Sequence, residues 1–285
     1  MSAPPAAPLR VGTPRAEPMT GALGADLYHC NPDTDVDFIR AALAQYGVVT
    51  LRGTDITPAQ HIALARRFGE ININRFFTPH PNHPEIALVV KEATHTTAIG
   101  EGWHTDHSYD TEPALGSLLL ARDVPTVGGD TVFVSMAAAW DALPADLRAR
   151  LLGLKAWHES EHVFGRAALE GDDRTRFQNA RAATQRSLHP VAIRHPLSGR
   201  TCLYVNPVFT TRIDGLDAAE SRALLDDLYA HCTDPTFHCR VRWRVGDLTI
   251  WDNRATWHKA INDYDGHRRE MHRITVTGCQ LDAAA

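Results

Sequence analysis

The stretch "EGWHTDHSYD", residues 101–110, contains the side chains whose types and spacing first point to chemistry. His104 and Asp106 stand two apart, so on an extended strand they project from the same face. Far along the chain, "LTIWDNRATWHKA" places His258 directly after an apolar strand. Two imidazoles and one carboxylate would form a three-ligand face for a metal ion. Each residue alone is weak evidence, because the chain contains 16 histidines.

A face of two histidines and one carboxylate leaves coordination positions open, which suits non-heme Fe(II) oxygenases. Beyond His258, "HRREMHRITVTG" alternates as a strand, so Arg269 and Arg273 share one of its faces. Arginines that point inward from an apolar strand are costly unless they meet anions, and a guanidinium group suits carboxylates. Thr131, in "GGDT", offers a hydroxyl to the same kind of ligand. The pattern predicts anion sites beside the metal.

Two helices near the N-terminal end are predicted from their capping residues. "NPDTDVDFIRAALAQYG" ends at Gly47, and "TPAQHIALARRFG" begins after Thr57 and ends at Gly69. The segments "EIALVVK", "LGSLLLARDV" and "DTVFVSM" have the character of strands, as does most of the C-terminal third. Many short strands with a few peripheral helices predict a mainly β protein of the sandwich or jelly-roll type.

Composition and charge bear on the domain organisation, the binding partners and the location of the protein. Residues 1–21 are rich in Pro and Ala and are predicted to be disordered, whereas residues 22–280 show no repeat or break and are predicted to form a single domain. A net charge of −5 without a basic stripe argues against nucleic acid. No apolar run is long enough for a membrane span, and no secretory signal is recognised. Five cysteines without CxxC spacing indicate a reducing compartment, so a cytoplasmic location is expected.

The sequence resembles the TauD/TfdA (taurine dioxygenase-like) family of Fe(II)/2-oxoglutarate-dependent dioxygenases. Thr131 lies 27 residues after His104, while Arg269 and Arg273 lie 11 and 15 residues after His258, and these spacings are similar to those of the family. The matching segments extend from about residue 20 to residue 278 and are "ITPAQHIALARRFGE", "WHTD", "GGDT", "HPVAIRHPLSGRTCLYVN", "FTTRI", "RVRWRVGDLTIWDNRATWH" and "RREMHR".

The resemblance implies a double-stranded β-helix, the jelly roll of cupin-like proteins, with peripheral helices. It implies that His104, Asp106 and His258 bind Fe(II), and that Thr131 and Arg269 hold the far carboxylate of 2-oxoglutarate. With O2, such an enzyme decarboxylates 2-oxoglutarate to succinate and CO2 and hydroxylates a substrate C–H bond. Family members are often homodimers or homotetramers, so the same is expected here.

The substrate pocket resembles that of the family only in part. Arg273 occupies the position of the residue that binds the substrate anion, and Phe164 and Phe209 match positions that wall the pocket. Asn74 and Phe77 stand where taurine-type members have a histidine and a tyrosine. Gly100 and Glu101 stand near the place of residues close to the taurine amine. An anionic substrate is still favoured, but a sulfonate other than taurine, an alkyl sulfate, an aryloxyalkanoate or a natural-product intermediate is expected.

Two other functions compete with this interpretation. A non-catalytic cupin-type protein could bind a metal or 2-oxoglutarate without turnover, although it would not need both arginines and Thr131. A zinc hydrolase is suggested by "HTDH", the latter half of HxHxDH, but Gly102 occupies the position of the first ligand. The polar, irregular residues 160–187 are predicted to close over the substrate, because this segment includes Phe164.

Overall fold

The computed structural model describes residues 12–165, 177 and 179–285. The helices are α1 (Val36–Tyr46), α2 (Pro58–Phe68), α3 (Met136–Asp141), α4 (Ala145–Leu151), α5 (Glu161–Phe164) and α6 (Ala218–Cys232), with 3₁₀ turns at Ala180–Ala182 and Pro235–Phe237. The strands are β1 (Arg15–Pro18), β2 (Ala25–Tyr28), β3 (Val48–Leu51), β4 (Ile71–Asn72), β5 (Pro79–His80), β6 (His83–Lys91), β7 (Gly116–Asp123), β8 (Thr131–Ser135), β9 (Lys155–Glu159), β10 (Arg186–Pro190), β11 (Ala192–Arg194), β12 (Thr201–Leu203), β13 (Thr210–Ile213), β14 (His238–Val241), β15 (Leu248–Asp252), β16 (Thr256–Ala260) and β17 (Arg269–Val276).

In the part of the chain that the structure describes, the strands form one large sheet and three small ones. The large sheet has the order β1-β2-β3-β15-β7-β17-β6-β5. The short strand β4 also belongs to this sheet and pairs with β17 outside that order. The small sheets are β14-β8-β16, β10-β9-β13 and the hairpin β11-β12. The protein is therefore mainly β with peripheral helices, as the sequence predicted.

The large sheet and the β14-β8-β16 sheet face each other across an apolar core. Leu119, Trp251 and Met271 of the large sheet meet Phe133 and Val241 of the small one, and all five are buried. His258 lies on β16 in the small sheet, whereas Arg269 and Arg273 lie on β17 in the large sheet. The predicted metal and anion residues therefore come from two sheets that enclose one interior.

The outer face of the large sheet is covered by α1 and α2. Ile39 of α1 and Leu64 of α2 belong to the same buried cluster as Leu118 and Ile274 of the sheet. Helix α2 begins with a capping box in which the Thr57 hydroxyl accepts from the backbone N–H of Gln60, and α1 ends at the left-handed Gly47. The helix boundaries predicted from Thr57, Gly47 and Gly69 are confirmed within one residue.

The N-terminal prediction needs a correction. Arg15–Pro18 is a strand that pairs antiparallel with Ala25–Tyr28, so ordered structure begins before residue 22. A four-residue edge strand with alternating charges carries little hydrophobic signal, and backbone pairing with β2 supplies its order. Residues 1–11 lie outside the described part of the chain, and the single domain over residues 22–280 stays a prediction.

The segments "LGSLLLARDV" and "DTVFVSM" form the consecutive strands β7 and β8, as predicted. The two strands belong to different sheets. Helix α3, Met136–Asp141, was not predicted; Ser135 caps it by accepting from the backbone N–H of Ala138. Among the described residues, none of the helices has the length and apolar character needed to cross a membrane.

The turn between β15 and β16 is fixed by a buried ion pair. Both Asp252 carboxylate oxygens accept from Arg254, at 2.9 and 2.7 Å, and Oδ2 also accepts from His195 Nε2 at 3.0 Å. Burial would raise the pKa of the Asp252 carboxyl, but Arg254 and His195 outweigh it and hold that pKa well below its usual range. Because β16 carries His258, this turn sets the position of a predicted metal ligand.

Replacing Asp252 by alanine should lower the free energy of unfolding by about 3–5 kcal/mol, because Arg254 is then left buried and unpaired. Since the folded pKa of Asp252 is depressed, its contribution is present above about pH 4 and is lost as the pH falls further. Urea unfolding of both proteins at several pH values measures this. Asp226→Ala, which breaks the exposed pair with Arg222, is the control and should lower the free energy of unfolding far less, because water screens exposed charges. Equal costs for the two variants would contradict the prediction.

Candidate active site

His104 and His258 are brought together by a reciprocal pair of backbone hydrogen bonds. The His104 N–H donates to the His258 carbonyl at 3.1 Å, and the His258 N–H donates to the His104 carbonyl at 2.8 Å. The bridge adds the segment around His104 to the edge of β16 opposite β8. It places the two imidazole rings with their centroids 4.1 Å apart.

Asp106 completes the group from the same segment as His104. Its Oδ1 lies 3.7 Å from His104 Nε2, and its Oδ2 lies 3.9 Å from His258 Nε2. In the described part of the chain, His104, Asp106 and His258 form the one group of three side chains that could hold a metal ion, with ligand atoms within 4.8 Å of one another. The spacing of these atoms fits a single small cation.

Three further contacts hold the segment that carries His104 and Asp106. The Thr105 hydroxyl donates to the carbonyl oxygens of Thr256 at 2.5 Å and of Asn253 at 3.2 Å. His104 Nδ1 lies 2.8 Å from the Gly102 carbonyl, so Nδ1 carries the proton and Nε2 faces the other ligands with its lone pair. A side chain at Gly100 would crowd the imidazole, since its Cβ would come 3.2 Å from His104 Cε1.

The Asp106 carboxylate is held by two donors. Ser117 on β7 donates its hydroxyl to Oδ2 at 2.9 Å, and Arg273 on β17 donates to Oδ1 at 3.1 Å. Supporting groups of this kind fix the orientation of a metal ligand. Ser117 was not predicted from the sequence, because a serine inside the apolar strand "LGSLLLARDV" carries no signal of its own.

The three candidate ligands have the protonation states that metal binding requires. Burial lowers the pKa of the His104 and His258 imidazoles below the usual value, and for His258 the neighbouring His104 lowers it further. Burial would raise the pKa of the Asp106 carboxyl, but Arg273 and the two imidazoles hold it well below its usual range. Near neutral pH the group therefore offers two neutral nitrogens and one carboxylate, ready for a divalent cation.

A cavity of about 250 Å³ opens in front of these ligands. His104, Asp106 and Arg273 line its inner end, and its walls are largely aromatic. All the residues predicted to bind substrate lie on it: Asn74, Phe77, Phe164, Phe209 and Arg273. The described lining also includes residues that the sequence did not single out for this role: Tyr109, Val163, Phe177 and Val208.

Arg273 lies at the junction of the cavity and the metal ligands. Its guanidinium carbon is 4.4 Å from the centre of the Phe77 ring, and its Nε is buried without a hydrogen-bond partner. Only 7% of the residue is exposed. Arg273 therefore faces the interior, as predicted, and does not lie on a solvated surface of its strand.

Asn74 and His107 form a polar corner of the cavity. The Asn74 carbonyl oxygen accepts from the backbone N–H groups of Phe76 and Phe77, at 2.9 and 3.0 Å, so its amide nitrogen faces His107 Nε2 at 3.2 Å. His107 Nδ1 lies 3.0 Å from a carboxylate oxygen of Asp110. Nδ1 is thus the donor and Nε2 the acceptor, and both ring nitrogens are engaged away from the metal ligands. The zinc-hydrolase interpretation, which needs His107 beside the metal, has no support in this geometry.

Thr131 and Arg269 lie on β8 and β17, and neither belongs to the described lining of the cavity. Both contact Trp243: the indole N–H donates to the Thr131 hydroxyl at 3.0 Å, and the Arg269 guanidinium carbon is 5.8 Å from the ring centre. Arg269 is 6% exposed and its Nε has no hydrogen-bond partner. Burial lowers the pKa of this guanidinium, which nevertheless stays charged at any physiological pH.

The segment predicted as a lid is described only in part. Residues 166–176 and 178 lie outside the described residues, so the closing motion stays a prediction. Phe164 at the end of α5 stacks on Phe76 with ring centroids 4.4 Å apart, and Phe177 forms a backbone bridge with Phe77. The described ends of the segment therefore form part of the cavity wall.

A family model described as "Taurine catabolism dioxygenase TauD, TfdA family" matches residues 11–275. The chain belongs to this family. The predicted enzyme class, a 2-oxoglutarate-dependent dioxygenase, is thereby confirmed, and so is the double-stranded β-helix predicted from the resemblance.

Similar proteins act on different substrates. The chain is 34% identical to an alpha-ketoglutarate-dependent 2,4-dichlorophenoxyacetate dioxygenase from Cupriavidus pinatubonensis, over 90% of this chain and 93% of the relative. It is 33% identical to an alpha-ketoglutarate-dependent sulfate ester dioxygenase from Pseudomonas putida, over 92% and 88%. A crystal structure of a taurine dioxygenase from Burkholderia xenovorans aligns with a TM-score of 0.79 at 30% identity, over 96% of this chain and 95% of that one. These relatives favour the dioxygenase over the non-catalytic and hydrolase alternatives.

Replacing any one of His104, Asp106 or His258 by alanine should weaken metal binding more than about 100-fold, because even groups that only support a ligand contribute 10- to 100-fold. Ser117→Ala should weaken metal binding only about 10- to 100-fold, because the serine hydroxyl orients the Asp106 carboxylate without binding the metal. Calorimetric titration with Mn(II) measures the affinity. His267→Ala, at an exposed histidine, is the control. Unchanged affinity in the Asp106 variant would exclude the site.

Proposed function

We propose that the protein uses Fe(II), 2-oxoglutarate and O2 to hydroxylate a C–H bond of a small, apolar substrate that carries one anionic group. The observation that carries this proposal is the arrangement around Asp106, in which two neutral imidazoles and one ionised carboxylate lie at the inner end of an aromatic cavity beside a buried arginine. The class of enzyme follows from the family, whereas the metal, the residue roles and the substrate class are proposed here.

The donor set fits Fe(II). Two imidazoles and one carboxylate are the ligands of non-heme Fe(II) oxygenases, and they leave positions for a chelating cosubstrate and for O2. His104, Asp106 and His258 would be the ligands. Ser117 would hold the carboxylate in place, and the Gly102 carbonyl would keep the His104 proton on Nδ1.

The surroundings of Arg269 fit the far carboxylate of 2-oxoglutarate. This guanidinium is buried and forms no ion pair with a described carboxylate, a state that is costly unless an anion binds there. Thr131 accepts a hydrogen bond from Trp243, which leaves its own hydroxyl proton for the same anion. When bound, Fe(II), 2-oxoglutarate and O2 supply the oxidising chemistry, and succinate and CO2 are released.

The cavity walls define the substrate class. Phe77, Phe164, Phe177 and Phe209 surround a space suited to a flat or branched apolar group, and Arg273 offers a charged donor at its inner end. An anion held by Arg273 would bring the adjacent carbon atoms of the substrate close to the metal ligands, while the apolar walls exclude water. We therefore propose an aryloxyalkanoate as the substrate class, with alkyl sulfates as the next best fit.

Taurine fits the cavity poorly. Its ammonium group would need a carboxylate, and among the described lining residues other than the ligand Asp106 this could only be Glu101. The Glu101 carboxylate already accepts from the backbone N–H of Ala98. Asn74 adds a hydrogen-bond donor but no positive charge for a sulfonate, and its carbonyl oxygen is occupied by the backbone.

Succinate formation tests the proposal directly. The protein, Fe(II), 2-oxoglutarate and O2 should form succinate slowly alone and much faster with 2-phenoxypropionate, phenoxyacetate or hexyl sulfate. Taurine should stimulate weakly, as should 2-phenoxyethanol, the uncharged counterpart of phenoxyacetate. Stimulation by taurine alone would contradict the substrate class. No succinate from metal-loaded protein with any compound would contradict the proposed chemistry.

Substitutions of the two arginines should affect different ligands. Arg269→Ala should weaken 2-oxoglutarate binding about 10- to 100-fold, the range for hydrogen bonds to charged groups. Arg273→Gln, which keeps a donor but no charge, should leave 2-oxoglutarate binding within a few-fold and abolish stimulation by the anionic substrate. Titration calorimetry on Mn(II)-loaded protein, with the metal affinity measured separately, distinguishes the two. Equal losses of 2-oxoglutarate affinity would refute this division of roles.

A cytoplasmic location, a homodimer or homotetramer, and closure of residues 160–187 over the substrate stay predictions from the sequence and the resemblance. Limited proteolysis with and without the substrate tests the last of these, because a closing segment should become protected when the substrate binds.

A further inference from the structure

Lys91, the last residue of β6, is a buried cation next to Arg269. The two residues are direct partners in the antiparallel pair of β6 and β17, so their side chains project from the same face of the sheet. Arg273 and its partner Ala87 share that face, and both lie in the interior that holds the metal ligands. The Lys91 side chain therefore points inward.

Among the described residues, the Lys91 ammonium group has no hydrogen-bond or ion-pair partner. The residue is 3% exposed, and its Nζ is buried without a hydrogen-bond partner. No described carboxylate forms an ion pair with Lys91 or with Arg269. The contact that Lys91 makes is with the Tyr264 ring, whose centre is 4.6 Å from Nζ. The Asp130 carboxylate, which pairs with Arg240, also attracts Arg269 and raises the pKa of its guanidinium against the effect of burial. Neither buried cation has a carboxylate at ion-pair distance among the described residues, so the arrangement is expensive unless an anion binds between them.

Gly129 lies close to Arg269 and to Tyr264, the aromatic neighbour of Lys91. A side chain at Gly129, which has a positive φ of 69°, would come 3.4 Å from both Arg269 Cδ and Tyr264 Cδ1. Thr131 follows two residues later and contacts Trp243, as does Arg269. Strands β6, β8 and β17 thus direct an ammonium, a hydroxyl and a guanidinium group into one region of the interior.

We propose that Lys91 is a second cation for the far carboxylate of 2-oxoglutarate, acting together with Arg269 and Thr131. This assignment rests on the proposed function. A carboxylate has about four acceptor positions on its two oxygens. The Arg269 fork can fill two of them, the Thr131 hydroxyl one and the Lys91 ammonium one. With Lys91 the set of donors matches the capacity of one carboxylate.

Removing the positive charge of Lys91 should weaken the binding only of ligands that carry the far carboxylate. Lys91→Met keeps the length and apolar stem of the side chain. In Mn(II)-loaded protein it should weaken 2-oxoglutarate binding about 10- to 100-fold, the range for hydrogen bonds to charged groups. Binding of 2-oxopentanoate, which has a methyl group in place of the far carboxylate, should stay within a few-fold. Lys155→Met, at an exposed lysine on β9, is the matched control and should leave both ligands unaffected.

Thermal unfolding without ligand separates this role from a purely structural one. An unpaired buried cation destabilises the fold, so Lys91→Met should unfold at the same or a higher temperature than the wild type. Addition of 2-oxoglutarate should then raise the unfolding temperature of the wild type more than that of the variant. Lys91→Gln, which keeps a donor without charge, should show the same pattern and serves if methionine disturbs folding.

Three results would overturn the assignment. Lys91 variants that bind 2-oxoglutarate as tightly as the wild type would exclude a contact with the far carboxylate. Equal weakening of 2-oxoglutarate and 2-oxopentanoate, with a lower unfolding temperature, would show that Lys91 only supports the fold through Tyr264. Wild-type protein that fails to bind 2-oxoglutarate would refute the proposed function itself, and the assignment of Lys91 with it.

Discussion

The reciprocal backbone hydrogen bonds between His104 and His258 are the constraint on which the site depends. They connect a segment in the first half of the chain to a strand near its end, and they fix the backbone positions of both histidines before any metal is present. Other residues hold the segments around this bridge in place. Thr105 ties the segment to the turn before β16, the Asp252–Arg254 pair fixes that turn, and Ser117 orients the third ligand. A metal ion would therefore meet a set of ligands whose conformational entropy has already been lost in folding.

The charges of the interior are arranged for anions that come from outside the chain. Asp106 neutralises part of the charge of Arg273, whereas Arg269 and Lys91 have no carboxylate partner among the described residues. A protein that needed only stability would replace such groups by apolar side chains. Under the proposed function, the free energy of ligand binding offsets the cost of burying these groups, so the ligand-free protein should be less stable than the complex.

Much of the fold and the three candidate ligands followed from the sequence, because they depend on local patterns or on a family spacing. The caps at Thr57 and Gly47, the apolar strands and the two arginines on one face of β17 are of this kind. Contacts that depend on which strands pair in the folded protein leave no such pattern in the sequence. Ser117 and Lys91 each looked like an ordinary residue of an apolar strand, and their roles arise only from β7 and β6 lying on either side of β17. Likewise β1 gains its order from β2, not from its own composition.

The walls of the cavity and the candidate metal ligands belong to different parts of the architecture. His258 and both arginines lie on paired strands, and His104 is tied to one of those strands by its backbone. Phe77, Phe164 and Phe209, in contrast, come from three separate connections between strands, of which the one with Phe164 includes α5. In evolutionary terms the two sets can change independently. Substitutions in the connections can shift the molecules accepted while the oxidising centre is retained, which accounts physically for relatives named for phenoxyacetates, sulfate esters and taurine within one family.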